Sequence, residues 1–189
     1  MKSVDELLQM DEDERAEHLY NEALNFGERL NPIYEEIIKT SPKYVYYYAK
    51  DIIGGRWKEA ELYIMKDPYW IYKYAKDVIK NRWRKAEEII KRDPYWAYEY
   101  AKDIIGGRWK EAEPYIIKHP GWAYNYALNV IKGRWKESEE VIKKDSWYIY
   151  WYAKNVIKGR WKEAEEYIKK NKFWWKEYCN HFEIKRDSK

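Results

Sequence analysis

Covalent and metal-assisted chemistry needs cysteine, histidine or carboxylate side chains brought to one place, and this chain has few of the first two. There is one cysteine, Cys179, and three histidines, His18, His119 and His181. Cys179 and His181 are two residues apart on a predicted helix, which turns them about 200° away from each other, a poor arrangement for a nucleophile and its base. The histidines have no zinc-ligand spacing, and a lone cysteine forms no internal disulfide. Gly54-Gly55 and Gly106-Gly107 read as helix stops, not as a phosphate cradle, and no serine elbow is present. The sequence therefore predicts a protein that is not an enzyme and that uses no metal or cofactor.

The abundant groups are those that bind: 37 Lys and Arg, 12 Trp and 21 Tyr in 189 residues. An Arg-Trp pair stands at Arg56-Trp57, Arg82-Trp83, Arg108-Trp109, Arg134-Trp135 and Arg160-Trp161. A row of arginines could hold phosphates and a tryptophan ladder could stack bases. The competing chemistry is internal: each Arg pairs with a Glu recurring at Glu61, Glu87, Glu113, Glu139 and Glu165, while each Trp fills the core. Matching numbers of acids and bases favour the internal pairing.

The pairs recur every 26 residues, a spacing that signals stacked supersecondary units. Each unit opens on an N-cap and proline, as at Asp67-Pro68, and runs as helix A to about Lys80, then helix B from about Trp83 to Lys91. The apolar arc of helix A, from Trp70 to Ile79, spans roughly 200° and needs several neighbours, whereas helix B carries a narrower stripe. Alanines at 49, 75, 101, 127 and 153 mark close helix crossings. Tyrosines at 48, 74, 100, 126 and 152 belong to the core, and those at 46, 72, 98, 124 and 150 are placed at its edge with their hydroxyls exposed. The expected fold is an all-α, right-handed-type α-solenoid of about six short helical hairpins. Residues 1–40 form an acidic N-terminal cap with a degenerate repeat around Ala23, 41–170 form five 26-residue repeats, and 171–189, with Trp174, Tyr178 and Arg186 in frame, form a C-terminal capping helix. Pro114 falls inside a helix B and should shorten or kink it.

An apolar content of 46% excludes a disordered polyampholyte, and charged residues in every window exclude a membrane span. The start of the chain shows no leader, so a cytoplasmic address is expected. Net charge is +4, but residues 1–40 carry 4 basic and 11 acidic side chains, and the remainder 33 basic and 22 acidic.

Short hairpins with Ala at the crossing and Pro at the helix start resemble the tetratricopeptide and Sel1-like α-solenoids, although 26 residues is shorter than either unit. The strings IIGGRWKEAE (52–61) and DPYWAYEYAKDII (93–105) are similar to Trp/Tyr-rich repeats of bacteriophage and bacterial proteins. That resemblance implies no established activity, and by analogy with phage proteins of this kind it implies binding and inhibiting a host protein.

By analogy with hairpin repeats, the water-facing line of helix A is the expected binding surface. Its candidate residues are Tyr47, Lys50, Lys73, Lys76, Lys102, Leu128, Trp147, Trp151 and Lys154. At Leu128, Trp147 and Trp151 the line turns apolar, which nominates an anchor patch. Residues 173–184 folding back over that patch is the alternative explanation for it. A non-enzymatic scaffold or inhibitor binding a protein partner is the favoured function. The alternative is single-stranded nucleic acid or a phosphate-bearing small molecule held in a basic, aromatic groove; the acidic cap and moderate positive charge weigh against it.

Overall fold

The computed structural model describes residues 2–185. The fold is all-α, a helical repeat of the solenoid class, and the chain divides into two compact units, Met1–Ile90 and Lys91–Lys189. The first holds α1 (Val4–Leu8), α2 (Glu12–Phe26), α3 (Pro32–Ile38), α4 (Pro42–Tyr48), α5 (Glu61–Ile64), α6 (Pro68–Tyr74) and α7 (Arg84–Ile90). The second holds α8 (Pro94–Tyr100), α9 (Glu113–Ile116), α10 (Pro120–Tyr126), α11 (Glu139–Ile142), α12 (Ser146–Tyr152), α13 (Glu165–Ile168) and α14 (Lys172–His181). Even-numbered helices from α2 onward are the A helices. Within each unit every A helix packs on the next, as α4 does on α6 and α10 on α12, and a short B helix wedges between them, as α11 does between α10 and α12. Among the described residues no helix is long and apolar enough to cross a membrane. Arg186 lies outside the described residues.

Helix A starts as its residues dictate. Asp67, Asp93 and Asp145 each accept a bond from the backbone N–H two residues on, and proline fills the first position of α6, α8 and α10, where no N–H is needed. His119 takes the capping place before α10 but makes no side-chain cap bond.

The end of helix A was not legible. From the recurring alanine onward α4, α6, α8, α10 and α12 each widen into a π turn, at Ala49–Ile53, Ala75–Ile79, Ala101–Ile105, Ala127–Ile131 and Ala153–Ile157. The alanine carbonyl closes the turn; that of Ala101 accepts from both Gly106 N–H (2.9 Å) and Gly107 N–H (3.3 Å). A left-handed residue follows, which is Gly54 or Gly106 in two units and Lys80, Lys132 or Lys158 in the others, where a Cβ makes that backbone costlier by roughly 1 kcal/mol.

Helix B is shorter than expected in most units. α3 and α7 run seven residues; α5, α9, α11 and α13 have four each. The shortness of α9 is thus a property of the repeat and not the work of Pro114, which sits in the first turn of α9, where the backbone N–H has no acceptor within the helix. Its unit differs only in that residues 110–112 form a turn where three others have a 3-10 segment.

Two recurring bonds join one repeat to the next. The first is made by the inner tyrosines. Trp57 N–H donates to the Tyr74 hydroxyl (2.7 Å), Trp109 to Tyr126 (2.6 Å), Trp135 to Tyr152 (2.6 Å) and Trp161 to Tyr178 (2.6 Å). Each of Trp57, Trp83, Trp109, Trp135 and Trp161 also packs its ring on its own unit's tyrosine, with centroids 5.0 to 5.2 Å apart. These tryptophans are at most 2% exposed, which removes the base-stacking reading of the ladder. Burial pushes the Tyr152 and Tyr178 hydroxyls up to about 12, so they keep their proton.

The second bond corrects the expectation that the outer tyrosines expose their hydroxyls. Tyr46 is buried and donates to Asp77 of the next repeat (2.6 Å), while Tyr98 and Tyr124 accept from Asn129 and Asn155 (2.8 Å each). The acceptors and donors on the far side all sit on the π turn. A π turn inserts one residue into the helical register and so rotates the side chains that follow it.

The degenerate first hairpin, α2 with α3, carries both bonds. Tyr20 donates to Asp51 (2.8 Å), and Leu30 N–H, in the place of a tryptophan, donates to the Tyr48 hydroxyl (2.7 Å). One extra residue there hid the match.

Replacing Tyr126 by Phe leaves the buried Trp109 N–H without an acceptor, and a chemical-denaturation series should show a loss of about 1–3 kcal/mol. Tyr95→Phe, at an exposed ring, should stay within about 0.5 kcal/mol of the parent. Equal effects would show that the hydroxyl bond contributes nothing.

Candidate binding surface

The recurring arginines are engaged internally. Arg108 donates through Nε and Nη2 to the two Glu113 oxygens (2.8 Å each), and Arg82–Glu87, Arg134–Glu139 and Arg160–Glu165 form the same fork. Arg56 meets Glu61 at 2.7 Å, and Arg29–Glu35 supplies the equivalent in the first hairpin, six residues apart instead of five. Four of these glutamates open their B helices, where a negative charge also meets the positive end of the backbone dipole. The Glu113 hydrogen bond holds the Arg108 guanidinium above its ordinary value. Tyr126 leans toward the same carboxylate (3.3 Å), so fork and tyrosine form one cluster around the Trp109 backbone.

The lysines of the water-facing line are partnered too. In the first unit Lys73 pairs with Asp77 (2.8 Å) and lies over the Tyr46 ring; Lys50 stands 3.8 Å from Asp51; Lys76 donates to the Tyr72 hydroxyl (2.8 Å). Tyr47 is half-buried among Tyr20, Tyr44, Tyr46 and Trp70. In the second unit Lys102 pairs with Glu99 (2.7 Å) and covers Tyr98, and Lys154 lies over Tyr150 and Trp151. These lysines balance nearby acids and cover aromatic faces.

Of the three residues nominated as anchors, the structure brings two together. Trp147 and Trp151 pack in a tilted pair with centroids 5.9 Å apart on α12, beside Tyr124, Tyr148 and Tyr150. Trp147 is 39% exposed, while Trp151 is half-buried. Leu128 is half-buried and lines a separate notch of about 130 Å³ with Lys132, Gly133, Asn155, Val156 and Lys158.

The C-terminal segment continues the repeat. Trp174 packs on Tyr150 (5.6 Å), as Trp122 does on Tyr98, while Trp175 and Phe182 pack on Tyr178. Phe173, one repeat on from Trp147, is 60% exposed. Of the sites where the repeat is broken, His119, Gly121 and Asn125 meet at one cavity on α10 and α12. Ser138 is buried against the Trp135 carbonyl, Cys179 is buried, and His181 is exposed, its ring against Tyr150. Comparison with protein-family models, with curated proteins and with solved structures finds no match to this chain.

The Asp77 cluster generates a pH prediction. Burial works to raise the Asp77 pKa, but Lys73 and the Tyr46 hydroxyl outweigh it and hold the carboxyl below its usual value. A depressed carboxylate contributes stability that is complete above its unfolded pKa, about 4, and is lost as pH falls through the folded value. Melting temperatures measured from neutral pH down to about pH 3 should fall more steeply in the parent than in Asp77→Asn, which can bond Tyr46 as Asn129 bonds Tyr98. Parallel acid limbs would contradict this assignment.

Proposed function

We propose that this chain is a non-enzymatic protein-binding scaffold, an inhibitor-type helical repeat that docks a protein partner on the α12 surface around Trp147 and Trp151. The observation that carries the reading is the Trp147 ring, large, amphipathic and 39% exposed, on a half-buried Trp151. Exposed tryptophan backed by a rigid aromatic neighbour is the kind of anchor that dominates protein interfaces. Phe173 adds a further exposed ring in the next repeat position. The likeness of the repeat strings to bacteriophage proteins supports a host protein as the partner and the cytoplasm as the place. No cofactor is required.

The nucleic-acid reading is the weaker one. Phosphate binding depends on cations free to replace counterions. Here Arg108, Arg134 and Arg160 are held in glutamate forks, and Lys102 is tied to Glu99.

The test is a pull-down from the native host followed by titration of the captured protein. Trp147→Ala should weaken that complex by about 2 kcal/mol, roughly 30-fold, with helicity unchanged and with little dependence on salt. Unchanged affinity in the variant would eliminate this surface, and a steep loss of affinity with salt would turn the reading toward nucleic acid.

A further inference from the structure

The repeat is broken most densely where α10 meets α12. Gly121 stands where the neighbouring units have Tyr95 and Trp147, Asn125 where they have Glu99 and Trp151, and Tyr148 where they have Trp122 and Trp174. His119 replaces a capping aspartate. Together these changes open a cavity of about 420 Å³ lined by His119, Gly121, Trp122, Asn125, Asp145 and Tyr148. Gly121 is what makes room: a Cβ there would stand 2.7 Å from the Tyr148 hydroxyl.

The lining has a definite chemistry. Trp122 and Tyr148 supply aromatic walls. Asp145 supplies a carboxylate whose one oxygen caps Trp147 N–H (2.8 Å) and which makes no ion pair among the described residues. The Asn125 amide, the Tyr148 hydroxyl and the His119 imidazole have no hydrogen-bond partner among the described residues. Among the described residues no lysine or arginine lines the cavity. The lysine that covers the outer tyrosine elsewhere, as Lys102 covers Tyr98 and Lys154 covers Tyr150, is Leu128 in this unit.

We propose that this cavity receives the guanidinium of an arginine side chain presented by the protein partner, an inference that rests on the protein-binding reading above. An arginine matches the lining feature by feature. Its planar cation lies favourably on aromatic faces. Its five N–H donors meet the second Asp145 oxygen and the acceptor atoms of Asn125 and Tyr148, while a carboxylate or phosphate would face Asp145 with no cation to balance it. A lysine ammonium brings the charge but neither the plane nor the fork. The exposed Trp147 indole packs on the Tyr148 ring of the lining, 4.6 Å between centroids, so the partner residues flanking an arginine seated here fall beside it.

The whole chain, with its tryptophan indole N–H resonances assigned, is titrated with N-acetyl-arginine amide and, separately, with N-acetyl-citrulline amide, which has nearly the same shape and no charge. Saturable shifts at Trp122 and Trp147 are expected with the arginine probe, and binding about tenfold weaker or worse with citrulline. Asp145→Asn, which still caps α12, and Asn125→Lys, which places an ammonium at the cavity, should each weaken the arginine probe by about tenfold while melting stays near the parent value. Equal responses to the two probes, no saturable shift, or unaltered binding in both variants would overturn the proposal. If the arginine probe fails while Trp147→Ala still weakens the partner complex, the cavity assignment falls and the docking surface stands. If the probe binds as expected while Trp147→Ala leaves the partner untouched, the cavity chemistry holds and the docking surface falls.

Discussion

The structure depends on a backbone N–H that its own repeat cannot satisfy. Each recurring tryptophan sits between helix A and helix B, outside any regular helix, with its amide buried, and an unpaired buried N–H costs about 1–3 kcal/mol. For Trp57, Trp109, Trp135 and Trp161 the acceptor is the tyrosine hydroxyl of the following repeat, held at 2.6 to 2.7 Å. A repeat is therefore completed by its neighbour. This accounts for the recurrence of Tyr, Trp, Arg and Glu as a set: the ring of the tryptophan packs on its own unit's tyrosine, and the Arg–Glu fork orients the loop that carries the amide. The same logic explains α14, whose Tyr178 satisfies Trp161. Stability in such a stack is a sum of nearest-neighbour terms, and within each unit the interfaces of neighbouring repeats contribute a polar bond and an aromatic contact.

The outer bond, from Tyr46 to Asp77 or from Asn129 to Tyr98, sets the electrostatics of the surface. It brings a carboxylate or amide to the lysine-rich edge of helix A, so the lysines find local partners and the net positive charge of the repeats is not presented as a row of free cations. Where the pattern lapses, at Leu128, the covering lysine is lost while Asp145 remains, and the local surface turns aromatic and acidic. The binding surface proposed for this chain lies at lapses in the repeat.

The period of 26, the caps at Asp67 and Asp93, the buried tryptophans and the Arg–Glu forks were legible because each follows from residue type at fixed spacing. The π turns were not, since Ala-Lys-Asp-Ile-Ile reads equally well as α-helix; the side chains the turn carries find their partners in the preceding repeat. The outer tyrosine hydroxyls were misplaced for the same reason, because their partners lie 31 residues away, on a turn whose rotation a regular wheel does not give. Of the candidate surface, Trp147 and Trp151 were readable as apolar departures from a polar line. The cavity was not, although His119, Gly121 and Asn125 were visible as departures one by one; only the meeting of α10 with α12 shows that they face one space.

The central claim is that the tryptophan amides are closed by the neighbouring repeat. Amide hydrogen exchange, read residue by residue at Trp109, Trp135 and Trp161, tests it most directly. These amides lie in connecting segments, yet the account predicts protection comparable to that of amides inside α10 and α12, with Tyr152→Phe accelerating Trp135 far more than Trp109. Exchange at Trp109, Trp135 and Trp161 as fast as at the exposed ends of the same segments, or acceleration spread evenly over all three in the variant, would contradict it.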